Sequence, residues 1–213
     1  MPSKDLRSLL FGEQVRCEAG GHVHSVHRKG VRLLVLLTGL PGSGKSTVAR
    51  TIGAALGNCS VLTTELIRST LFELTAQPGD SDFTPSELGI VYRSLQYTAE
   101  TLLAQNCDVI ADGVYRSPDQ RDAMERLAIQ AAAPFIGLFV SCPYDVAMGR
   151  LRERSARSSH SPGGVETYRE IEKGFALPPS SYLKVDTSSL VLNSQGLVNL
   201  PSTLLAMIVR NPQ

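Results

Sequence analysis

The sequence contains no tryptophan, only four cysteines in 213 residues, and an aromatic content of 6%. It lacks any apolar run near the roughly 20 residues that a helix needs to cross a bilayer. The formal net charge is +1, so no strong overall field draws the protein to nucleic acid or anionic lipid, which does not exclude a local basic groove. These absences exclude a membrane-spanning or disulfide-stapled protein, and a hydrophobic content of 42% indicates an ordinary globular chain.

The first residues, MPSKDLRSLLF, lack the apolar core and small-residue cleavage site of a secretory signal, so we expect a cytoplasmic protein. Residues 1–30 differ in composition from the rest and contain Cys17 close to His22, His24 and His27. The spacing fits no common zinc module, so we interpret residues 1–30 as an N-terminal extension and not as a metal site. Residues 31–213 are long enough to form one domain.

The most informative stretch is LLVLLTGLPGSGKSTVAR, in which a glycine-rich turn joins an apolar run to a helix start. Residues 39–46 match the P-loop pattern G-x-x-x-x-G-K-[ST] at every fixed position. Glycine is required there because a Cβ would block the backbone N–H groups from wrapping a phosphate, and because positive φ must be allowed. The stretch predicts a nucleotide-binding loop of Gly39, Pro41, Gly42, Ser43, Gly44, Lys45, Ser46 and Thr47.

The side chains of this loop have separate expected roles. Lys45 supplies a mobile charge to the β- and γ-phosphates, the Ser46 hydroxyl binds Mg²⁺, and Thr47 bonds the α-phosphate. The helix that follows points the positive end of its dipole at the bound phosphate.

Short apolar runs alternate with helical segments along the rest of the chain. Strands are expected at Leu33 to Thr38, Ser60 to Thr63, Asp108 to Ala111, Phe135 to Ser141 and Tyr182 to Val185. A C-terminal helix is expected from Leu197 to Arg210. The alternation predicts an α/β chain with the three-layer P-loop NTPase fold, in which a five-stranded parallel sheet carries helices on both faces.

Ligands gather at the carboxyl edge of such a sheet, so we expect the residues that follow the strands to converge. Asp112 follows the third strand, where a carboxylate can hold Mg²⁺ or its water, with an N-cap or turn aspartate beside Gly113 as the alternative. Glu65 and Arg68 are three positions apart at a helix start and can face one cleft. Glu65 can accept a proton from an acceptor hydroxyl while Arg68 holds the acceptor, or both can be ordinary solvated residues.

A basic helix precedes the flexible break SSHSPGG. Arg150, Arg154 and Arg157 fall at i, i+4 and i+7, on one face of that helix. The pattern predicts a small helical lid over about residues 150–175, whose arginines neutralise charge on the transferring phosphoryl group. A solvated basic face is the alternative.

Taken together, the motifs resemble the small P-loop kinases. They are GLPGSGKST, Glu65-x-x-Arg68, VIADGVYRSPDQR from Val109 to Arg121, R-L-x-x-R from Arg150 to Arg154, and Y-L-x-V-D-T from Tyr182 to Thr187. This group includes gluconate kinase, chloramphenicol phosphotransferase, adenylylsulfate kinase, the zeta toxins and the kinase domain of polynucleotide kinase, built on an AAA-type ATP-binding domain.

The resemblance also implies roles for individual residues. Glu65 stands where the family usually has a catalytic aspartate, and the extra methylene is on the scale that decides whether a base reaches its hydroxyl. Arg150 or Arg154 belongs to the lid. The resemblance further places Arg150 and Asp186 on the nucleotide side, and it places Arg68, Asp112, Arg116 and Arg121 on the substrate side.

The sequence thus predicts a kinase that uses ATP and Mg²⁺ to phosphorylate a hydroxyl of a small molecule. Its catalytic residues would be Lys45, Glu65, Arg150 and Arg154, and Ser46 and Asp112 would hold the metal. Two other functions stay open: a polynucleotide 5′-hydroxyl or zeta-toxin-type kinase, and an ATP-binding or ATP-hydrolysing regulatory module without an acceptor. No membrane partner is expected, and the sequence predicts no oligomeric state.

Overall fold

The computed structural model of the protein describes residues 32–72, 85–157 and 165–210. The predicted N-terminal extension, with Cys17 and its neighbouring histidines, lies outside the described residues, as does the break at 158–164. In chain order the elements are β1 (Leu34–Thr38), α1 (Lys45–Leu56), β2 (Cys59–Thr63), α2 (Thr64–Phe72), α3 (Pro85–Ala104), β3 (Asp108–Asp112), α4 (Pro118–Gln130), β4 (Phe135–Ser141), α5 (Tyr144–Arg157), α6 (Val165–Lys173), β5 (Leu183–Asp186) and α7 (Ser202–Arg210).

The five strands form one sheet in the order β2-β3-β1-β4-β5, and every pair of neighbours is parallel. This confirms the predicted α/β fold. The chain crosses from β1 to the edge strand β2, so β1 lies between β3 and β4 at the centre of the sheet. In an open parallel sheet, the crevice where the strand order reverses is the usual ligand site. The P-loop leaves β1 at that crevice.

Both faces of the sheet are buried, which explains why β1 is apolar without alternation. On one face, Leu34 and Leu36 join a core that includes residues of α3 and α4. On the other, Val35 and Leu37 pack with residues of α1 and α7. Side chains alternate between the faces of a strand, so one apolar run supplies two cores. This packing on both faces holds the carboxyl edge of β1 between two helical layers.

The segment before the last helix differs from the prediction. We expected a helix from Leu197, but α7 begins at Ser202, and Val198 forms an antiparallel bridge with Leu192. Pro201 accounts for the difference, because proline keeps the residue before it out of the helical region. The extended segment is tied to α1 by the Val198 amide, which donates to Thr51 Oγ1 at 3.1 Å.

The loop after β3 is fixed by the N-terminal cap of α4, at the capping-box sequence Ser117-Pro118-Asp119-Gln120. The Gln120 amide donates to Ser117 Oγ at 3.3 Å, and the Ser117 amide donates to Gln120 Oε1 at 3.2 Å. The two bonds form a capping box. They define the path of the chain between Asp112 and α4. Within the described ranges, no helix is both long enough and apolar enough to span a membrane.

Candidate active site

A cavity of about 1210 Å³ runs along the carboxyl edge of the sheet. The P-loop forms its floor, and residues that follow β2, β3 and β5 form its walls together with α3, α5 and α6. Its lining includes six of the eight residues predicted for the nucleotide loop, namely Pro41, Gly42, Gly44, Lys45, Ser46 and Thr47. Gly39 and Ser43 are buried behind this surface and are not part of the lining.

The P-loop backbone uses left-handed angles that glycine tolerates. Gly42 has φ 74° and Gly44 has φ 91°. A Cβ at position 42 would lie 2.7 Å from the Ala147 carbonyl oxygen, so α5 packs against the loop too closely for any side chain there. Gly44 immediately precedes α1, whose N-terminus faces the cavity and favours a bound anion.

Lys45 lies over the loop in the first turn of α1. Its Nζ donates to the Leu40 carbonyl oxygen at 2.9 Å. Burial lowers the pKa of Lys45, the negative charge of Asp112 raises it, and the positive charge of Arg154 lowers it. The last two effects place a carboxylate and a guanidinium near the ammonium group. The arrangement suits binding of a polyphosphate, whose charge both cations can share.

Asp112 ends β3, is only 4% exposed, and lies close to the Ser46 hydroxyl. Burial raises the pKa of Asp112, the charge of Lys45 and the Ser46 hydroxyl lower it, and the charge of Glu65 raises it. A hydroxyl and a carboxylate are hard oxygen donors, which fit Mg²⁺. No cluster of three or more His, Cys, Asp or Glu side chains suited to a metal occurs in the described part of the chain. A Mg²⁺ ion here would therefore complete its shell with phosphate and water oxygens.

Glu65 and Arg68 lie on α2, opposite the P-loop, and both line the cavity. Glu65 is exposed in the first turn, whereas Arg68 is half-buried. Burial lowers the pKa of Arg68 and the neighbouring Glu65 raises it. The α2 pair thus adds one carboxylate and one guanidinium to the wall that faces Lys45.

Arg150 and Arg154 both line the cavity from α5, as their spacing predicted, but their settings differ. Arg150 is half-buried and its terminal nitrogens donate to Gly42 and Thr187. Arg154 is exposed and close enough to Lys45 for its charge to affect that residue. α5 and α6 share a small core of Ala147, Met148, Leu151 and Tyr168, with Leu40 of the P-loop packed against it.

The remaining predicted site residues separate into two groups. Arg116 lines the cavity. Arg121 does not line the cavity and is only 2% exposed. Its guanidinium donates to the backbone carbonyl oxygens of Tyr115 at 2.8 Å and Leu177 at 3.4 Å. Asp186 is exposed outside the lining, and the bond that it accepts from the Ser188 amide at 2.8 Å lowers its pKa.

Several lining residues were not among the predicted site residues. They are Tyr92 and Val91 on α3, Ile171 on α6, and Thr187, Leu190, Leu192 and Val198 after β5. The residues after β5 form an apolar wall beside the N-terminus of α1, and those of α3 form a second one near Glu65. Only the folded chain brings these scattered apolar residues together. Thr187 alone lay within a motif of the resemblance, Y-L-x-V-D-T.

The family model described as "AAA domain" matches residues 34–178, which is more than half of the chain. The chain belongs to this family. The match begins at β1 and extends past α6, so this AAA domain contains the P-loop, Asp112 and both helices of the predicted lid.

Curated relatives of this AAA domain chain match it over part of its length. A protein of Mycobacterium tuberculosis (strain ATCC 25618 / H37Rv), described as uncharacterized, is 30% identical over 138 residues, which are 62% of this chain and 28% of that protein. An adenylyl-sulfate kinase of Myxococcus xanthus is 30% identical over 55% of this chain and 62% of its own. A UPF0200 protein of Aeropyrum pernix is 31% identical over 75% and 87%. The chain thus spans about a quarter of the first relative's length.

Solved structures share the fold. A protein of Chloroflexus aurantiacus described as a candidate kinase superposes with a TM-score of 0.66 at 19% identity, covering 86% of this chain and 100% of its own. The APS kinase of Mycobacterium tuberculosis, solved in complex with AMPPNP and APS, has a TM-score of 0.55 at 22% identity, covering 73% and 88%. These structural neighbours support a P-loop kinase-like fold.

Proposed function

We propose that this protein is a phosphotransferase that moves the γ-phosphate of Mg-ATP to a hydroxyl of a small molecule. The observation that carries the proposal is the extent of the cavity. It does not end at the P-loop but continues past Lys45 and Asp112 to a compartment lined by Glu65 and Arg68. A protein that only binds or hydrolyses ATP needs no such second compartment, whereas a kinase needs one for its acceptor.

The nucleotide would lie with its phosphates on the P-loop and its base toward Leu190 and Val198. Lys45 would follow the charge from the γ- to the β-phosphate during transfer. Ser46 and Asp112 would hold Mg²⁺, which neutralises phosphate charge when it is bound. Arg154, exposed and near Lys45, would face the transferring phosphoryl group from α5.

The acceptor would lie between α2, α3 and α6. Glu65 would take the proton of the acceptor hydroxyl as the hydroxyl oxygen forms a bond to the γ-phosphorus. The bond between the γ-phosphorus and the β–γ bridging oxygen would break at the same time, which releases ADP. Arg68 and Arg116 would hold polar or anionic groups of the acceptor. We leave Arg121 out of this set, because its guanidinium is buried against backbone carbonyls.

An acceptor screen tests this proposal. The purified protein is incubated with Mg-ATP and a metabolite extract, and mass spectrometry identifies species that gain one phosphate. Extract treated with the Lys45→Ala variant is the matched control. We expect at least one phosphorylated metabolite that forms only with the wild-type protein. Identical spectra from the two samples would contradict the proposal.

A larger acceptor is the second candidate, and the arginines that line the cavity favour it. Arg68, Arg116 and Arg154 surround the compartment and would suit a phosphate backbone next to a 5′-hydroxyl. Binding of 5′-hydroxyl oligonucleotides that weakens steeply with salt, followed by labelling of their 5′ end, would favour this candidate. Binding without salt dependence and without labelling would favour the small-molecule acceptor.

A further inference from the structure

Thr187, the first residue after β5, is held between the P-loop and α5 by a set of short hydrogen bonds. It is 3% exposed. Its hydroxyl donates to the Ser43 carbonyl oxygen at 2.7 Å and accepts from Arg150 Nη1 at 2.8 Å. Arg150 Nη2 donates to the Thr187 carbonyl oxygen at 2.7 Å, and Nη1 also lies 3.3 Å from the Gly42 carbonyl oxygen. Two consecutive P-loop carbonyls are thus bound from behind.

We propose that Thr187 and Arg150 form a clamp that presets the P-loop for the β-phosphate of the nucleotide, and that both are positioning residues. This inference rests on the proposed function only in that it takes the P-loop to bind a nucleoside di- or triphosphate. It assigns a role to Thr187, which ends the Y-L-x-V-D-T motif but received no role from the resemblance. It also gives Arg150 a task different from that of Arg154, although both belong to one arginine pattern.

Peptide planarity explains how the clamp would act. The C=O of one residue and the N–H of the next point in opposite directions across a trans peptide. The Thr187 hydroxyl fixes the Ser43 carbonyl, so the Gly44 N–H is held pointing in the opposite direction. Gly44 lines the cavity, so this N–H would be available to a bound phosphate. Without the clamp, this peptide would be free to rotate, and the free-energy cost of ordering it on binding would lower the affinity for the nucleotide.

The clamp also gives a further reason for glycine at position 44. A Cβ there would lie 3.2 Å from Thr187 Oγ1 and 3.4 Å from Arg150 Nη1. A side chain at this position would push against both members of the clamp, in addition to straining the left-handed backbone of φ 91°. The loop and the clamp therefore fit each other closely.

The two arginines on α5, Arg150 and Arg154, have different surroundings. Both terminal nitrogens of Arg150 donate within the protein, to the carbonyls and hydroxyl already named. Arg154 lies one turn later, is exposed, and affects the charge of Lys45. Arg150 therefore stabilises the cradle, whereas Arg154 lines the cavity near Lys45.

The experiment measures ADP and AMP binding by calorimetry, without an acceptor. In Thr187→Val, which keeps the side-chain shape but removes the hydroxyl, we expect ADP affinity to fall about tenfold, the usual size of a lost buried hydrogen bond. AMP has no β-phosphate for the Gly44 N–H, so its affinity should change by less than about twofold. Thr187→Ser keeps the hydroxyl and should restore most of the ADP affinity. Thr203→Val, at an exposed threonine of α7, is the matched control.

Several results would overturn the clamp. ADP binding by Thr187→Val at wild-type strength would do so, as would equal losses for ADP and AMP, which a general loss of structure would cause. If Thr187→Val does not fold, Arg150→Lys provides the same comparison, because one ammonium cannot replace the paired donors of a guanidinium. A wild-type protein that binds ADP but transfers no phosphate would contradict the proposed function and leave the clamp intact.

Discussion

The Asp112 carboxyl at the end of β3 faces the Ser46 hydroxyl in the first turn of α1, and that hydroxyl lowers the pKa of Asp112. The two strands that lead to these residues, β1 and β3, are direct neighbours in the sheet. This arrangement brings together the two protein oxygens that we assign to Mg²⁺. It does so in a buried place where a carboxylate is costly to ionise, which suggests that the pair is kept for chemistry and not for stability.

Replacing Asp112 with asparagine should lower activity and raise stability. Loss of one carboxylate ligand, direct or through water, should raise the Mg²⁺ concentration for half-maximal activity about tenfold or more. Burial raises the pKa of Asp112 above its ordinary value of 3.8, so the folded state binds more protons than the unfolded state just above that pH. The free energy of unfolding therefore falls as pH rises from the unfolded pKa of Asp112 through its raised folded pKa. It stays reduced at higher pH.

The melting temperature gives the measurement. The gain of Asp112→Asn over the wild type should be larger at pH 7 than at pH 4, because Asp112 ionises less readily in the folded wild type than in its unfolded state. Asp119→Asn, at an exposed position in the first turn of α4, is the control and should show no such gain. A gain that is the same at both pH values would contradict the assignment.

Lys45→Ala should lower phosphotransfer at least about a hundredfold, the size of effect seen when one preorganised charge is removed from a transition state. Within the described residues, the Lys45 ammonium donates one hydrogen bond, to the Leu40 carbonyl oxygen, so thermal unfolding should change little. Lys184→Ala, at an exposed position on β5, is the matched control. Wild-type turnover in Lys45→Ala would refute the mechanism.

Glu65→Gln should lower turnover about a hundredfold or more, in the range of general-base catalysis, with ATP affinity nearly unchanged. The matched control is Glu100→Gln, an exposed glutamate on α3. Glu65→Asp tests the extra methylene that distinguishes this chain from the family pattern, and we expect it to lose activity as well. Equal losses in turnover and ATP affinity would remove Glu65 from the role of base.

Arg154→Ala should lower turnover by up to about 10³-fold, the scale for an arginine that stabilises a transferring phosphoryl group. Arg152→Ala, on the same helix but outside the cavity lining, should stay near the wild-type rate. Steady-state rates at saturating ATP measure both. Similar losses in the two variants would mean that α5 needs its overall charge and not one specific arginine.

Local pattern was enough to predict much of this fold. The apolar run of β1 and the P-loop after it have signatures set by backbone geometry, as does the cap at Ser117, and these signatures do not depend on distant residues. The same holds for Asp112, since the residue that ends a buried strand is at the ligand edge by construction. The α/β class and the parallel sheet followed from the alternation of elements.

The remaining features of the fold and the site depend on tertiary contacts, which the sequence pattern does not show. Arg121 matched a motif, but the loop from Tyr115 and the turn at Leu177 bring carbonyls to its guanidinium, and no local pattern foretells that. The wall formed by Leu190 and Val198 depends on a bridge between segments that Pro201 keeps extended. The order of the strands also lay beyond the sequence pattern, because it depends on which neighbours pair.

The most direct test of the proposed phosphotransfer follows the γ-phosphate. The protein is supplied with ATP labelled at the γ-position, with and without a metabolite extract, and the label is separated into inorganic phosphate and organic phosphate esters. We predict that the extract speeds ATP consumption and that most of the label then appears in an organic ester. Label that appears only as inorganic phosphate, at a rate that the extract does not change, would contradict the account.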